Sequence, residues 1–249
     1  MYIKLKRILS TLLTVIIVFG LFSTMPKTAS ADFANIVDTQ LKTFKVFQKV
    51  NTYTSGQFTD VNENEWYGTD QQGVVANAFS YGLMKGSSAT AFNPTGNMTV
   101  AEAITIAARV HSIYGGGSGE FMQGTPWYQV YVDHAISNGI INSDTFSNYE
   151  KAVTRAEMAY LFAHTTVPIV MVYNEMHGPT NTVNSLPDVD SATPYYSEII
   201  SLYEAGVLTG SDEQGTFYPD NSITRVEAAA IITRVILLEE RVGERTYGA

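Results

Sequence analysis

Thr99-Val100-Ala101-Glu102 opens a helical pattern that the chain repeats at Thr154-Arg155-Ala156-Glu157 and Thr224-Arg225-Val226-Glu227. A threonine followed three residues later by glutamate forms a capping box, in which each side chain accepts a hydrogen bond from the other residue's backbone N–H. Apolar residues recur after each box at the spacing of a buried helix face. Each tetrapeptide therefore predicts the start of a core helix.

A shorter helical segment precedes each of these helices. It begins near an aromatic pair, which is Trp66-Tyr67, Trp127-Tyr128 or Tyr195-Tyr196. It ends at Gly82, Gly139 or Gly206, because glycine accepts the left-handed conformation that closes a helix. A single helix–loop–helix module leaves its apolar face uncovered, so we expect three modules to pack together.

The repeats divide the chain into eight predicted segments. These are a signal peptide (1–31), a leader helix or linker (32–56), module 1 (57–114), a glycine-rich linker (115–120), a degenerate module 2 (121–167), a linker (168–185), module 3 (186–238) and a C-terminal tail (239–249). The signal peptide is indicated by a basic start, an apolar run and the small-residue site Ala29-Ser30-Ala31. The apolar run is shorter than the roughly 20 residues of a membrane span. We therefore expect secretion, cleavage before Asp32 and no transmembrane segment in the mature chain.

Charge and composition disfavour several classes of function. Without the signal peptide, 11 basic residues face 24 acidic ones, and this surface of net charge near −13 repels nucleic acid. The absence of cysteine excludes disulfides and thiolate zinc sites. The four histidines lack metal-ligand spacing, and no nucleophile elbow or phosphate loop occurs. Since three modules account for most of the chain, we expect no metal, no cofactor and no catalytic residue.

Together these features resemble the S-layer homology module, a family usually found in threes at an end of Gram-positive surface proteins. The resemblance spans residues 57–238 and rests on Phe58-Thr59-Asp60-Val61, Leu186-Pro187-Asp188-Val189, the Trp and Tyr positions, Gly206-Val207-Leu208-Thr209-Gly210 and the Thr-Arg-Ala-Glu motif. It implies an all-α fold, with three helix–loop–helix modules in a pseudo-threefold bundle and ligand grooves between neighbours. It also implies a ligand, secondary cell wall polysaccharide, which commonly carries a pyruvyl ketal on its N-acetylmannosamine.

The chain departs from the family pattern in modules 1 and 2. Val100 replaces the motif arginine in module 1. Module 2 lacks the Asp-Val opening, has Ser143 in place of its second glycine, and has Tyr149-Glu150-Lys151 in place of the proline segment. We therefore expect at most two strong ligand sites.

Arg155 and Arg225 are the leading candidates for ligand binding. Each stands at the first position of a helix, where the macrodipole disfavours an exposed cation by about 0.3–1 kcal/mol and favours a nearby anion. One interpretation is an intramolecular pair with a glutamate. The other is a forked donor for a ligand carboxylate, assisted by free N–H groups at the helix start. Replacing both arginines with alanine leaves the fold nearly intact in the second case and destabilises it in the first.

Further candidates surround the predicted grooves. Trp66 and Trp127 either fill the core or stack on sugar rings. Gly139, Gly206 and Gly210 are helix caps or leave room for a glycan, and Asp220 completes the ligand set. The assigned helix caps are Thr99, Glu102, Thr154, Glu157, Thr224 and Glu227.

Three functions remain open from the sequence. The first is non-covalent anchoring at the cell wall of a Gram-positive-type bacterium, through an anionic, pyruvylated polysaccharide. The second is a structural role, in which the chain self-assembles or docks another surface-layer protein. The third is an enzyme that acts on wall glycan through carboxylates in the grooves.

Overall fold

The computed structural model describes residues 47–70, 73–165, 186–237 and 240–242. The predicted signal peptide, most of the leader, the linker 168–185 and most of the tail lie outside these residues. The described part of the leader, 47–56, contains no helix, and Phe47 packs against the hydrophobic core. The module boundaries stay predictions.

Six helices lie within the described residues, and no strand does. They are α1 (Val74–Ser80), α2 (Val100–Tyr114), α3 (Gln129–Ser137), α4 (155–165), α5 (Tyr196–Glu204) and α6 (Arg225–Ile236). The all-α prediction is confirmed for this part of the chain. None of these six helices combines the length and the apolar composition that a membrane span requires.

Reciprocal hydrogen bonds fix the start of each long helix. At α2, the Glu102 N–H donates to Thr99 Oγ1 at 3.2 Å, and the Thr99 N–H donates to Glu102 Oε2 at 2.8 Å. The same two bonds form before α4 between Thr154 and Glu157, and before α6 between Thr224 and Glu227. The repeated motif thus satisfies two of the backbone N–H groups at each helix start, those of the threonine and of the glutamate.

The residue before each capping threonine joins the three modules. The Met98 N–H donates to the Ile223 carbonyl at 3.1 Å, the Ile223 N–H to the Val153 carbonyl at 3.1 Å, and the Val153 N–H to the Met98 carbonyl at 2.9 Å. All three side chains are fully buried. The three long helices therefore begin around a closed cycle of backbone hydrogen bonds.

Each short helix lies against the long helix of another module. In the cyclic order 1, 2, 3, that other module is the one before it, so module 1 follows module 3. Helix α3 packs on α2, and α1 packs on α6. Between α4 and α5, the Tyr160 and Tyr195 rings lie 4.8 Å apart, and His164 Nε2 lies 4.0 Å from Glu198 Oε1. The core is consequently shared among modules rather than divided between them.

Helix α1 begins at Val74, so the prediction that it starts near Trp66-Tyr67 is wrong. The intervening chain instead forms a loop around Glu63, whose carboxylate accepts hydrogen bonds from Thr69 N–H at 2.9 Å, Gly56 N–H at 3.1 Å and Tyr53 O–H at 2.8 Å. Burial raises the pKa of Glu63, but these hydrogen bonds outweigh burial and lower the pKa to about 2. The ionised carboxylate thus organises the chain that a helix was expected to occupy.

A histidine pair joins modules 1 and 2 at the α2–α3 contact. His111 Nδ1 lies 3.1 Å from His134 Nε2, and the Phe121 ring packs edge-on against His134 with centroids 5.0 Å apart. Burial lowers the pKa of both imidazoles, and charge on His111 lowers the pKa of His134 further. The folded protein therefore favours the neutral pair.

We expect the free energy of unfolding to fall as the pH drops below the ordinary histidine pKa of about 6.5, because the unfolded chain then binds more protons than the folded one. Thermal melts at about pH 7.5 and about pH 5.5 measure the loss across this window. The His134→Gln variant should lose less stability between the two conditions than the parent. An equal loss in both proteins would contradict this role of the pair.

Candidate functional site

Arg155, the first residue of α4, contacts module 3. Its side chain is nearly buried, with the residue 7% exposed. Its Nε donates to the Phe217 carbonyl at 2.6 Å, its Nη1 lies 2.9 Å from Glu227 Oε1, and its guanidinium lies 4.8 Å from the centroid of the Phe217 ring. Burial lowers the pKa of Arg155, while Glu227 and Asp188 oppose that shift. We call this contact the 2/3 junction.

Arg225, the first residue of α6, makes the equivalent contact with module 1, the 3/1 junction. Its Nε donates to the Phe92 carbonyl at 2.8 Å, and its Nη1 lies 3.3 Å from Glu102 Oε1. Its Nη2 also donates, to the Lys85 carbonyl at 2.8 Å. Within the described residues, Arg155 Nη2 has no hydrogen-bond partner. Arg155 thus keeps Nη2 as a donor for a ligand, whereas each of the three guanidinium nitrogens of Arg225 already bonds to the protein.

The intramolecular glutamate pair is the arrangement that both arginines adopt. The expectation of free N–H groups beside them is wrong, because loop carbonyls of the neighbouring module accept those hydrogen bonds. The Arg155 N–H donates to the Asn221 carbonyl and the Ala156 N–H to the Pro219 carbonyl, each at 2.9 Å. At α6, the N–H groups of Arg225 and Val226 donate to the carbonyls of Gly96 and Pro94. A ligand at these junctions therefore meets side chains, not an open helix terminus.

An aspartate at the opening of modules 1 and 3 holds the loop that the arginine contacts. The two oxygens of Asp188 accept hydrogen bonds from the N–H groups of Phe217 and Tyr218, both at 2.7 Å. Asp60 accepts those of Phe92 and Asn93 at 2.8 and 2.7 Å. From the sequence alone, these aspartates are recognisable only as landmarks of the family pattern. These aspartates occur in the two modules that receive an arginine and are absent from module 2. That distribution is the sequence signal for their role at the junctions.

The contact between modules 1 and 2, which we call the 1/2 junction, has a lysine where the other two junctions have an arginine. Val100 stands where the other long helices begin with arginine, and the Lys151 ammonium lies 2.6 Å from Glu157 Oε1. Seven residues before the capping threonine, module 2 has Ser147 where modules 1 and 3 have Phe92 and Phe217. Val100 and Lys151, two of the departures noted in modules 1 and 2, therefore belong to one altered contact, in which the Val100 N–H donates to the Lys151 carbonyl.

The tryptophans are not core residues. Trp66 is 41% and Trp127 is 43% exposed, and each packs edge-on against the following tyrosine. Module 3 offers no counterpart, because Pro194 occupies the place before Tyr195 that Trp127 occupies before Tyr128. Among the described residues, no hydrogen bond or ring contact joins either indole to Arg155 or Arg225.

The remaining candidates lie around module 3 and at the end of α3. A Cβ at Gly210 would overlap the Gly215 backbone, so protein backbone fills the space there. Gly139, with φ +70°, faces open space, and buried Gly206, with φ +71°, closes α5. Asp220 is exposed and directly precedes Asn221 at the 2/3 junction.

Residues 57–104 and 185–229 match the family model of the S-layer homology domain. Both segments are S-layer homology domains. They include Arg225, Trp66, Gly206, Gly210 and Asp220, whereas Arg155 and the rest of module 2 lie outside the matched residues.

The chain is also similar to the surface-layer 125 kDa protein of Lysinibacillus sphaericus. The two are 31% identical over 117 residues, which is 43% of this chain and 10% of the relative. The chain thus matches about a tenth of that protein's length.

We expect Arg155→Ala to lower the free energy of unfolding by about 3 kcal/mol, because it removes the cation that pairs with Glu227 Oε1 and the donor to the Phe217 carbonyl. Because Glu227 is partly exposed, we expect a loss at the lower end of the about 3–5 kcal/mol that breaking a buried ion pair costs. Urea unfolding measures the loss. Lys151→Ala is the matched control, since this half-exposed ammonium should contribute less than about 1 kcal/mol. Equal small losses in both variants would refute the structural role of Arg155.

Gly210→Ala and Gly139→Ala separate close packing from backbone conformation. We expect Gly139→Ala to cost about 1–2 kcal/mol, because only its positive φ opposes a side chain. Gly210→Ala should cost more, because the Gly215 backbone must move away from the added methyl group. Thermal melts of the two variants give the order, and a more stable Gly210 variant would contradict the observed approach.

Proposed function

We propose that this protein is secreted and binds, without covalent attachment, to the cell wall of a Gram-positive-type bacterium. Its ligand is secondary cell wall polysaccharide, recognised by the pyruvyl ketal on N-acetylmannosamine, and its role is anchoring rather than catalysis. The observation that carries the proposal is the pair of S-layer homology domains at residues 57–104 and 185–229.

The electrostatics support recognition of the ligand carboxylate at a local, built site. The whole chain carries a formal net charge of −9, so long-range attraction does not bring an anionic glycan to it. At Arg155, contacts with Phe217 and Glu227 fix the guanidinium while Nη2 keeps its donor capacity. A guanidinium held in place loses little side-chain entropy when it binds a carboxylate. We therefore assign the ketal carboxylate to Arg155 and a weaker site to Arg225.

The other candidate residues keep proposed roles around these contacts. The exposed faces of Trp66 and Trp127 suit stacking on sugar C–H groups. Gly139 leaves its surface open to a sugar, and exposed Asp220 offers an acceptor for sugar hydroxyls. Gly206 closes α5 with a positive φ. Gly210 lets the Gly215 backbone pack against it and so shapes the loop beside the proposed site.

We further propose that the three modules form a pseudo-threefold bundle. The cyclic hydrogen bonds among Met98, Val153 and Ile223 support this symmetry. The packing of each short helix on the long helix of the preceding module supports it as well. Three grooves then lie between neighbours, and arginine stands at two of them.

A second candidate function is structural association within a surface layer. It is favoured by the name of the Lysinibacillus sphaericus relative, a surface-layer protein. In that role the chain self-assembles or docks another surface-layer protein. An apparent molar mass, measured by light scattering without glycan, that rises with protein concentration would support this second function over saturable glycan binding.

We expect the methyl glycoside of N-acetylmannosamine to bind more tightly with its pyruvyl ketal than without it. A charge-assisted hydrogen bond contributes about 1.5–3 kcal/mol, which corresponds to about a 10- to 150-fold difference in affinity. Isothermal titration of both glycosides measures the difference. The Arg155→Lys variant should bind the ketal less tightly than the parent, because one ammonium cannot keep the contacts with Phe217 and Glu227 and also present a separate, fixed N–H group to the ligand as the planar guanidinium does. Equal affinities for the two glycosides would reject carboxylate recognition.

A further inference from the structure

Tyr218 adopts a backbone conformation that its residue type disfavours. Its φ is 56°, in the left-handed region, where bulky residues are rare and the backbone is strained. The equivalent position in module 1, six residues before the capping threonine, is Asn93 with φ 60°. Asparagine tolerates this region because its short polar side chain bonds locally. Module 3 thus places a large aromatic residue where the backbone favours a small one.

Folding gains little from the Tyr218 ring itself. The residue is 42% exposed and is among the large hydrophobic residues that the core leaves uncovered. Neighbouring Phe217, by contrast, is fully buried beneath the Arg155 guanidinium. A strained residue that keeps an exposed ring indicates a role outside core packing.

Two aspartates hold Tyr218 at both of its polar ends. Its N–H donates to Asp188 Oδ2, and its hydroxyl donates to Asp212 Oδ2, each at 2.7 Å. Asp212 also accepts hydrogen bonds from the N–H groups of Gln214 and Thr216. The bond from Tyr218, with those from the loop backbone, lowers the pKa of Asp212 to about 2. The acceptor therefore stays ionised at neutral pH, and the ring orientation is fixed before any ligand arrives.

Tyr218 directly follows the residue whose carbonyl and ring contact the Arg155 guanidinium. The Phe217 carbonyl that accepts from Arg155 Nε belongs to the peptide group that ends at the Tyr218 nitrogen. Asp188 bonds to the N–H groups on both sides of that carbonyl. The Arg155 guanidinium is therefore bonded to the same fixed dipeptide, Phe217-Tyr218, that carries the ring. At the 3/1 junction the corresponding dipeptide carries Asn93, and Arg225 Nη2 is occupied by the Lys85 carbonyl.

We propose that Tyr218 is a glycan-binding residue, whose ring stacks on the C–H face of the pyranose that presents its carboxylate to Arg155. The inference rests on the proposed function and makes the 2/3 junction the principal ligand site. The electron-rich face of an aromatic ring attracts the weakly positive C–H groups of a sugar. A ring that is already oriented adds this contact at little cost in side-chain entropy.

The test is isothermal titration of the ketal-bearing methyl glycoside into the full chain and two variants. Tyr218→Asn installs the residue that module 1 tolerates at the same φ, so we expect a cooperative melt near that of the parent. Its affinity should fall about tenfold, the ratio that about 1.4 kcal/mol of lost stacking produces. Tyr218→Phe keeps the ring and removes the hydroxyl, and its affinity should stay within about threefold of the parent, a difference of less than about 0.7 kcal/mol.

The outcomes separate this inference from the function on which it rests. Unchanged affinity in Tyr218→Asn, with tight binding by the parent, would overturn the role of Tyr218 and leave carboxylate recognition standing. An equal tenfold loss in both variants would overturn stacking, because the hydroxyl and not the ring would then carry the effect. A parent that binds neither the ketal glycoside nor its ketal-free form would overturn the proposed function and this inference together.

Discussion

The carboxylates of the capping glutamates couple helix formation to the docking of modules. One oxygen of each accepts the backbone N–H that begins its own helix, and the other pairs with a cation. The cation is Arg225 for Glu102 and Arg155 for Glu227, both from another module. Because one group serves both purposes, a long helix and its contact with the next module form under the same constraint. The loops, the shared core and the candidate ligand donors all depend on this arrangement.

Local patterns predicted the local structure well. The starts of α2, α4 and α6 follow from Thr and Glu three residues apart, and the positive φ of Gly82 follows from its place after a helix. The late start of α1 escaped prediction because Glu63 binds its loop through groups that do not recur in the other modules. Local helix propensity carries no information about a carboxylate that binds several loop residues at once.

The site was less predictable than the fold, because its contacts join residues far apart in sequence. Both interpretations of the arginines were available from their position at a helix start, and that position does not identify the partner. The glutamate that pairs with Arg155 is 72 residues away. Lys151 shows the same limit: its pairing with Glu157 becomes meaningful only when Val100 is known to face module 2. Loss of a motif residue in one repeat is therefore interpretable only beside the repeat that it contacts.

The packing of α1 on α6 has a consequence for how the chain reaches its fold. The apolar residues Val74, Val75 and Ala78 of α1 are buried, and α1 packs on the last of the six described helices. Arg225 bonds to a carbonyl 133 residues earlier. Contacts between such distant residues form slowly, because a long loop must close first. As the ribosome delivers the chain, module 1 emerges without its partner and keeps an uncovered apolar face until module 3 follows. Module 1 therefore completes its packing only once module 3 is present, so the modules mature together rather than in the order of their synthesis.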